Sequence, residues 1–150
     1  MLTSGIRKAY KVFGLIDYFS GRLFSKAHTG RFNSESYAAF LLDVLAQTTK
    51  PIFVIQDGAR YHTSKAMEEF FAAHATRLTQ VQLPAYSPDF NPIEYLWKKV
   101  KKMATHLKHF PKFTRLQAEV DKALLHFAQT PHEIMALMTR YCESLGTLAA

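Results

Sequence analysis

The sequence has little cysteine, no long apolar run and few acidic residues. Cys142 is the only cysteine among 150 residues, so an intrachain disulfide is excluded and a reducing compartment is expected. The best apolar stretch, residues 38–42, ends at Asp43 and is too short to cross a membrane. Residues 1–8 lack the apolar segment of a secretory signal. These features predict a cytoplasmic protein with no membrane partner.

The composition is that of a folded, basic domain. Apolar residues make up 48% of the chain, which excludes disordered, collagen-like and disulfide-scaffold proteins. The length fits about one domain. Lysine and arginine number 19 against 12 acidic residues, for a net charge of +7. An excess of positive charge favours an anionic partner, and nucleic acid is the first candidate.

The positive charge is concentrated in one segment. Residues 95–118 contain no acidic residue, whereas they hold seven basic ones: Lys98, Lys99, Lys101, Lys102, Lys108, Lys112 and Arg115. A solvated helix face is one interpretation. A surface built for solubility usually mixes both signs, however. The pattern therefore favours a surface that binds phosphates.

Hydrophobic periodicity and turn residues predict an α/β fold. Strands are expected at 9–16, 21–27, 51–56 and 78–83, and the continuous apolar run at 51–56 predicts burial on both faces. Helices are expected after Asn33, after Thr63 or Ser64, after Asn91, and from about 113 to the end. A hairpin followed by β-α-β units implies a mixed sheet covered by helices.

Two carboxylates and their neighbours are candidate site residues. Asp57 directly follows a predicted strand, where α/β proteins build their sites, although Asp57-Gly58 also fits a simple turn. Glu94 stands at the third position of a helix opened by Asn91 and Pro92, which is typical of a capping residue. It also heads a helix face with Lys98, Lys101 and Lys102, either as a metal ligand or in a salt bridge to Lys98.

His62 and Tyr86 are two further candidate residues. His62 lies five residues after Asp57 and is either structural or functional. Tyr86 lies in a proline-rich loop, where an aromatic side chain can stack on a base.

Two blocks of the sequence resemble a known family. Residues 55–62, Ile-Gln-Asp-Gly-Ala-Arg-Tyr-His, resemble the block around the second catalytic Asp of mariner-superfamily DDE transposases, especially the bacterial insertion-sequence branch. Residues 83–97, Leu-Pro-Ala-Tyr-Ser-Pro-Asp-Phe-Asn-Pro-Ile-Glu-Tyr-Leu-Trp, resemble the block that carries the third acid. The 36 residues between Asp57 and Glu94 are close to the family's spacing, although Gly58 stands where Asn is usual. The resemblance covers roughly residues 9–107.

The resemblance implies an RNase H-like fold and DNA transposition by metal-dependent strand cleavage and transfer. Asp57 and Glu94 would be the second and third catalytic acids and would hold Mg²⁺ or Mn²⁺ through their oxygens. His62 would be a structural or DNA-facing neighbour. Lys98, Lys101, Lys102 and Tyr86 would contact DNA, which comprises the transposon ends and the target. The complete protein is expected to act as a homodimer.

The first acid of the family lies on the first strand, and this chain resembles the family only from the second strand onward. Asp17 is an alternative first acid, but it would leave no third strand before the Asn33 helix. We therefore expect residues 1–150 to form a single, N-terminally truncated or split-frame catalytic domain, with C-terminal helices from about 113. Such a chain would be inactive alone and would associate with an upstream half, because the strands at 9–16 and 51–56 would expose unpaired edges and apolar faces.

Other functions remain open at this point. One is a DNA-binding or regulatory remnant without catalysis. Another is a different RNase H-like nuclease, although the proline-rich block argues against it.

Overall fold

The computed structural model describes residues 8–85 and 90–149, with side chains as far as residue 143. In these ranges short strands alternate with helices, and three longer helices follow. The elements are β1 (Lys11–Ile16), β2 (Leu23–His28), α1 (Ser34–Ala46), β3 (Ile52–Gln56), α2 (Arg60–Thr63), α3 (Lys65–Ala73), β4 (Leu78–Gln82), α4 (Ile93–Ala104), α5 (Phe113–Gln129) and α6 (Pro131–Ala149). No helix within the described ranges is both long and apolar enough to span a bilayer.

The four strands form two separate two-stranded sheets. β1 pairs with β2 in antiparallel fashion, with Gly14 opposite Ser25. β3 pairs with β4 in parallel, with Val54 opposite Gln80. Within the described residues no ladder joins the two sheets. The α/β class is confirmed, but its antiparallel and parallel pairs do not share one continuous mixed sheet.

Both sheets pack on the same hydrophobic core. β1 and β2 contribute Phe13 and Phe24, while β3 and β4 contribute Val54 and Leu78. Side chains of α1 and α3 complete this core: Tyr37, Phe40, Leu41, Val44, Met67 and Phe71. The two sheets are therefore held in one packed unit through side chains, without backbone pairing between them.

The three C-terminal helices form a second core against the other face of β1 and β2. Leu96 of α4 and Ile134 of α6 are fully buried there. Leu23, Val12 and Ile16 of the first sheet pack into the same cluster. α4, which carries Glu94, is thus fixed to β1.

β3 is buried on one face only, so the prediction of burial on both faces is wrong. Val54 and Gln56 are 2% and 3% exposed, whereas the alternating residues Phe53 and Ile55 are 72% and 54% exposed. The physical reason is that α4 and α5 pack against β1 and β2. The apolar run at 51–56 therefore presents an open face, which we call the β3 open face (Phe53 and Ile55).

α4 begins without the predicted side-chain cap. Its first turn is closed by main-chain bonds from Glu94 N–H to the Asn91 carbonyl (3.1 Å) and from Tyr95 N–H to the Pro92 carbonyl (3.1 Å). Pro92 occupies the cap position in a helical conformation, and no side chain bonds to it. Because the backbone already closes this turn, the Glu94 carboxylate takes no part in a capping box.

Candidate active site

Asp57 lies at the carboxyl end of β3, where the chain turns into α2. Its Oδ1 accepts a hydrogen bond from the Ala59 backbone N–H (3.1 Å) and lies 2.8 Å from His62 Nδ1. The side chain is nevertheless 54% exposed. The turn geometry and a site role are therefore compatible, because one oxygen holds the turn while the carboxylate still faces solvent.

His62 lies against Asp57 in the short helix α2. Its Nδ1 is also 3.0 Å from the Asp57 backbone carbonyl, and its side chain is 10% exposed. The ring packs on Tyr37 and Tyr61, with centroids 4.4 and 4.2 Å away. His62 therefore lies beside Asp57 in the fold, while its role, as a structural neighbour of a site or in contact with DNA, stays a prediction.

A buried polar network lies beneath this turn and was missed by sequence reasoning. Tyr37 Oη donates to Gln56 Oε1 (2.5 Å), and Gln56 Nε2 donates to the His62 carbonyl (3.3 Å). The sequence contained an indication of this network, because Gln56 is the one polar residue of β3 and directly precedes Asp57. Burial raises the pKa of Tyr37 and of Tyr61, and the nearby Asp57 charge adds to both shifts, so both phenols stay neutral at physiological pH.

Glu94 lies in the first turn of α4 with an exposed side chain. Within the described residues its carboxylate forms no ion pair, so the alternative salt bridge to Lys98 is not formed. The joint binding of one cation by Asp57 and Glu94 stays a prediction. No group of three metal-ligating side chains occurs among the described residues.

The basic face of α4 is exposed. Lys98, Lys101 and Lys102, which we call the lysine row, are open to solvent and form no ion pair with any described residue. Lys98 Nζ lies 5.4 Å from the centre of the Tyr95 ring. The lysine row is therefore available to an anionic partner, while the predicted contact residue Tyr86 lies outside the described residues.

Asp17 serves the β1–β2 turn. Its Oδ1 accepts from the backbone N–H groups of Phe19 (2.9 Å) and Ser20 (3.4 Å). Burial favours a higher pKa for this carboxyl, but the hydrogen bonds from Phe19 and Ser20 outweigh it and lower the pKa. The turn also meets α6, since the Tyr18 hydroxyl lies 2.9 Å from Cys142 Sγ. These contacts favour a structural role for Asp17 over that of a first catalytic acid.

The family follows from a comparison of sequence profiles. The profile of the DDE superfamily endonucleases matches residues 2–117, which is more than half of the chain. The chain belongs to this superfamily. Members generally use divalent metal ions. No curated protein matches the sequence significantly.

Solved structures of an integrase core, a transposase complex and an intasome share the fold. The catalytic core of bovine immunodeficiency virus (BIV) integrase is 15% identical with a TM-score of 0.60, over 94% of this chain and 91% of that one. A Mos1 transposase paired-end complex with the left transposon end is 15% identical with a TM-score of 0.60, and the match covers 91% of this chain and 45% of that one. A simian T-cell lymphotropic virus intasome is 16% identical with a TM-score of 0.56, and the match covers 74% of this chain and 41% of that one. The chain thus spans less than half of the last two proteins.

These likenesses confirm the RNase H-like fold, and the family match confirms the DDE part of the predicted resemblance, whereas the mariner branch stays a prediction.

Proposed function

We propose that this DDE superfamily chain is part of a transposase catalytic core, of the bacterial insertion-sequence branch, that cleaves and joins DNA at transposon ends. The observation that carries the proposal is the Asp57 carboxylate, fixed at the end of β3 by Ala59 and His62 yet open to solvent. Glu94, which has no competing ion pair with a described residue, would supply the second oxygen ligand. Held together, these oxygens suit Mg²⁺ or Mn²⁺, which polarise a phosphate and activate the attacking oxygen.

The two carboxylates fit the metal chemistry only in part. Mg²⁺ requires near-ideal octahedral oxygen geometry and sheds water reluctantly, so a site with two acids binds it weakly. Asp17 does not make up the deficit, because its Oδ1 is engaged in the β1–β2 turn. We therefore propose that residues 1–150 are inactive alone and need a further acid from another segment.

The separate sheets suggest where that segment docks. Within the part of the chain that the structure describes, β1 and β3 each pair on one edge, and Phe53 and Ile55 of the β3 open face are exposed to water. An unpaired edge beside an apolar face is a template for an added strand. We propose that an upstream half of the transposase supplies a strand between β1 and β3, and that the completed protein acts as a homodimer.

The lysine row supports the DNA part of the proposal. Its three ammonium groups are exposed, unpaired within the described residues, and continue along α4 from Glu94. Contacts to phosphates would position DNA without reading its sequence. Target DNA and transposon ends would both bind such a surface.

An end-cleavage assay on linear DNA tests this function. The purified chain should bind DNA without nicking it in Mg²⁺ or Mn²⁺, and addition of the upstream polypeptide should restore cleavage. Asp57→Asn and Glu94→Gln should abolish the restored activity, whereas Glu35→Gln, an exposed acid in the first turn of α1, should keep it. Cleavage by the chain alone that is lost in Asp17→Asn would overturn the proposal and make Asp17 the first acid.

A DNA-binding or regulatory remnant is the second candidate. The small number of acids beside an intact lysine row favours it. DNA binding that persists while every combination with the upstream half stays inactive would support this second function.

A further inference from the structure

His62 is held in a fixed position by groups on both sides of α2. Gln56 Nε2 donates to its carbonyl, and the His62 N–H donates to the Ala59 carbonyl at 2.8 Å. The rings of Tyr37 and Tyr61 pack on its imidazole. A buried side chain confined by so many contacts has little freedom to change rotamer.

The contacts of His62 determine which ring nitrogen carries the proton. Nδ1 lies 3.0 Å from the Asp57 backbone carbonyl and 2.8 Å from Asp57 Oδ1. A backbone carbonyl can only accept a hydrogen bond, and so can a carboxylate in its charged form. Nδ1 therefore carries the proton and donates to Asp57.

These groups hold one oxygen of the Asp57 carboxylate. Oδ1 accepts the Ala59 N–H and lies 2.8 Å from the protonated Nδ1, whereas Oδ2 accepts no hydrogen bond from the described residues. A carboxylate bound through one oxygen presents the other in a defined direction. Partners of this kind orient metal ligands and affect metal affinity.

We propose that His62 is a positioning residue that holds the Asp57 carboxylate with Oδ2 directed outward for a divalent cation. The proposal rests on the proposed function for its metal, but the 2.8 Å contact between His62 Nδ1 and Asp57 Oδ1 is independent of any metal. His62 acts through Asp57 and not on the reacting atoms.

Three substitutions separate positioning from simple packing. In His62→Asn the amide nitrogen lies near the place of Nδ1 and can keep the bond to Asp57. In His62→Gln the amide reaches toward the place of Nε2 and loses that bond while keeping most of the volume. His62→Ala removes the donor and the ring. His74 provides the matched control, because its Nδ1 also donates to a backbone carbonyl, that of Phe70, and it forms no ion pair with a described carboxylate.

The first measurement needs no metal. The Ala59 amide bonds to Asp57 Oδ1, so its hydrogen-exchange rate reports whether the carboxylate stays in place. Exchange should be near that of the wild type in His62→Asn and in His74→Asn, and about tenfold faster in His62→Gln and His62→Ala. Melting temperatures identify any variant that fails to fold, and the Asn and Gln variants are then compared directly.

The second measurement is a Mn²⁺ titration of the full chain, followed by paramagnetic broadening of the amide signals of residues 57–62, which detects weak binding. His62→Gln should weaken binding about tenfold, within the range for partners of metal ligands, whereas His62→Asn should change it less than about threefold. Asp57→Asn should remove the binding.

The outcomes separate the two proposals. Equal Ala59 exchange in folded His62→Asn and His62→Gln overturns the positioning role. Mn²⁺ binding that survives Asp57→Asn overturns the metal site of the proposed function, and it also overturns the metal-directed part of this inference. Slower exchange in His62→Asn than in His62→Gln supports the hold on Asp57 in either case.

Discussion

Gly14 lies where β1 meets α4, and replacing it with alanine should loosen the helix that carries Glu94. An added Cβ would lie 2.6 Å from both Cη2 and Cζ2 of Trp97 and 3.1 Å from Ile93 Cδ1. Carbon atoms in contact prefer about 3.5–4.0 Å, so the indole must retreat by about 1 Å. Trp97 packs against the core of α4–α6, so its displacement also disturbs its neighbours.

The expected cost follows from two opposing effects. Overpacking of a core costs about 1–3 kcal/mol. Replacing a strand glycine recovers about 0.5–1 kcal/mol of backbone entropy. Gly14→Ala should therefore lower the free energy of unfolding by about 1–2 kcal/mol and the melting temperature by about 2–8 °C. Urea denaturation followed by circular dichroism measures the change.

A control and a rescue make the reasoning refutable. At Gly58 an added Cβ meets only the tip of the Gln82 side chain, at 3.2 Å, so Gly58→Ala should stay within about 0.5 kcal/mol of the wild type. Trp97→Phe removes the outer indole atoms, so Gly14→Ala with Trp97→Phe should be less destabilised than the sum of the single changes by about 1 kcal/mol. Purely additive effects, or an unchanged stability of Gly14→Ala, would refute the argument.

Three other perturbations have defined outcomes. Replacing the lysine row with alanine should lower DNA affinity equally for all sequences and reduce the salt slope by about 3 units at most, as measured by fluorescence anisotropy. Tyr37→Phe should lower the free energy of unfolding by about 1–3 kcal/mol, because Gln56 Oε1 loses its donor. Burial raises the pKa of Tyr37, so ionisation of this phenol above about pH 10 favours the unfolded chain, and the variant should lose less stability there than the wild type. Phe53→Ser with Ile55→Ser should barely change urea stability, since both side chains are already exposed, but should weaken binding of the upstream polypeptide in calorimetry.

Helix caps were predictable from the sequence where the capping side chain bonds to the first turn of the helix. Asn33 caps α1 with a reciprocal bond to Ser36, and Ser64 caps α3 through the Met67 N–H, as the polar residues before apolar stripes indicated. The same pattern at Asn91 predicts a cap for α4, but the Asn91 side chain does not cap this helix. Pro92 already has helical dihedral angles, and the first turn closes through main-chain bonds. The side-chain oxygen of a capping residue and its backbone carbonyl can both accept from the first N–H groups of the helix. The sequence alone does not reveal which of the two oxygens accepts.

Longer-range features were beyond such reasoning. An apolar run such as residues 51–56 has the same pattern whether one face or both are covered, because coverage depends on where α4 and α5 pack. The bond from His62 to Asp57 requires the turn at Ala59, which the spacing of five residues leaves undetermined. Asp57 and Glu94 were identifiable from the sequence because one directly follows a strand and the other lies in the first turn of a helix. At such positions a side chain is exposed while its backbone is held by the strand or helix.

Two deficits of the chain meet at one place in the fold. One is chemical, because Asp57 and Glu94 together offer too few oxygens to hold Mg²⁺ firmly. The other is structural, because β1 and β3 share a core yet leave their sheets unjoined and the β3 open face in water. Asp57 follows β3 directly, so a strand added along β3 would end beside it if it ran parallel, as β4 does. A single added strand with an acid at that end would therefore remedy both deficits, which is why the upstream polypeptide should restore stability and cleavage together.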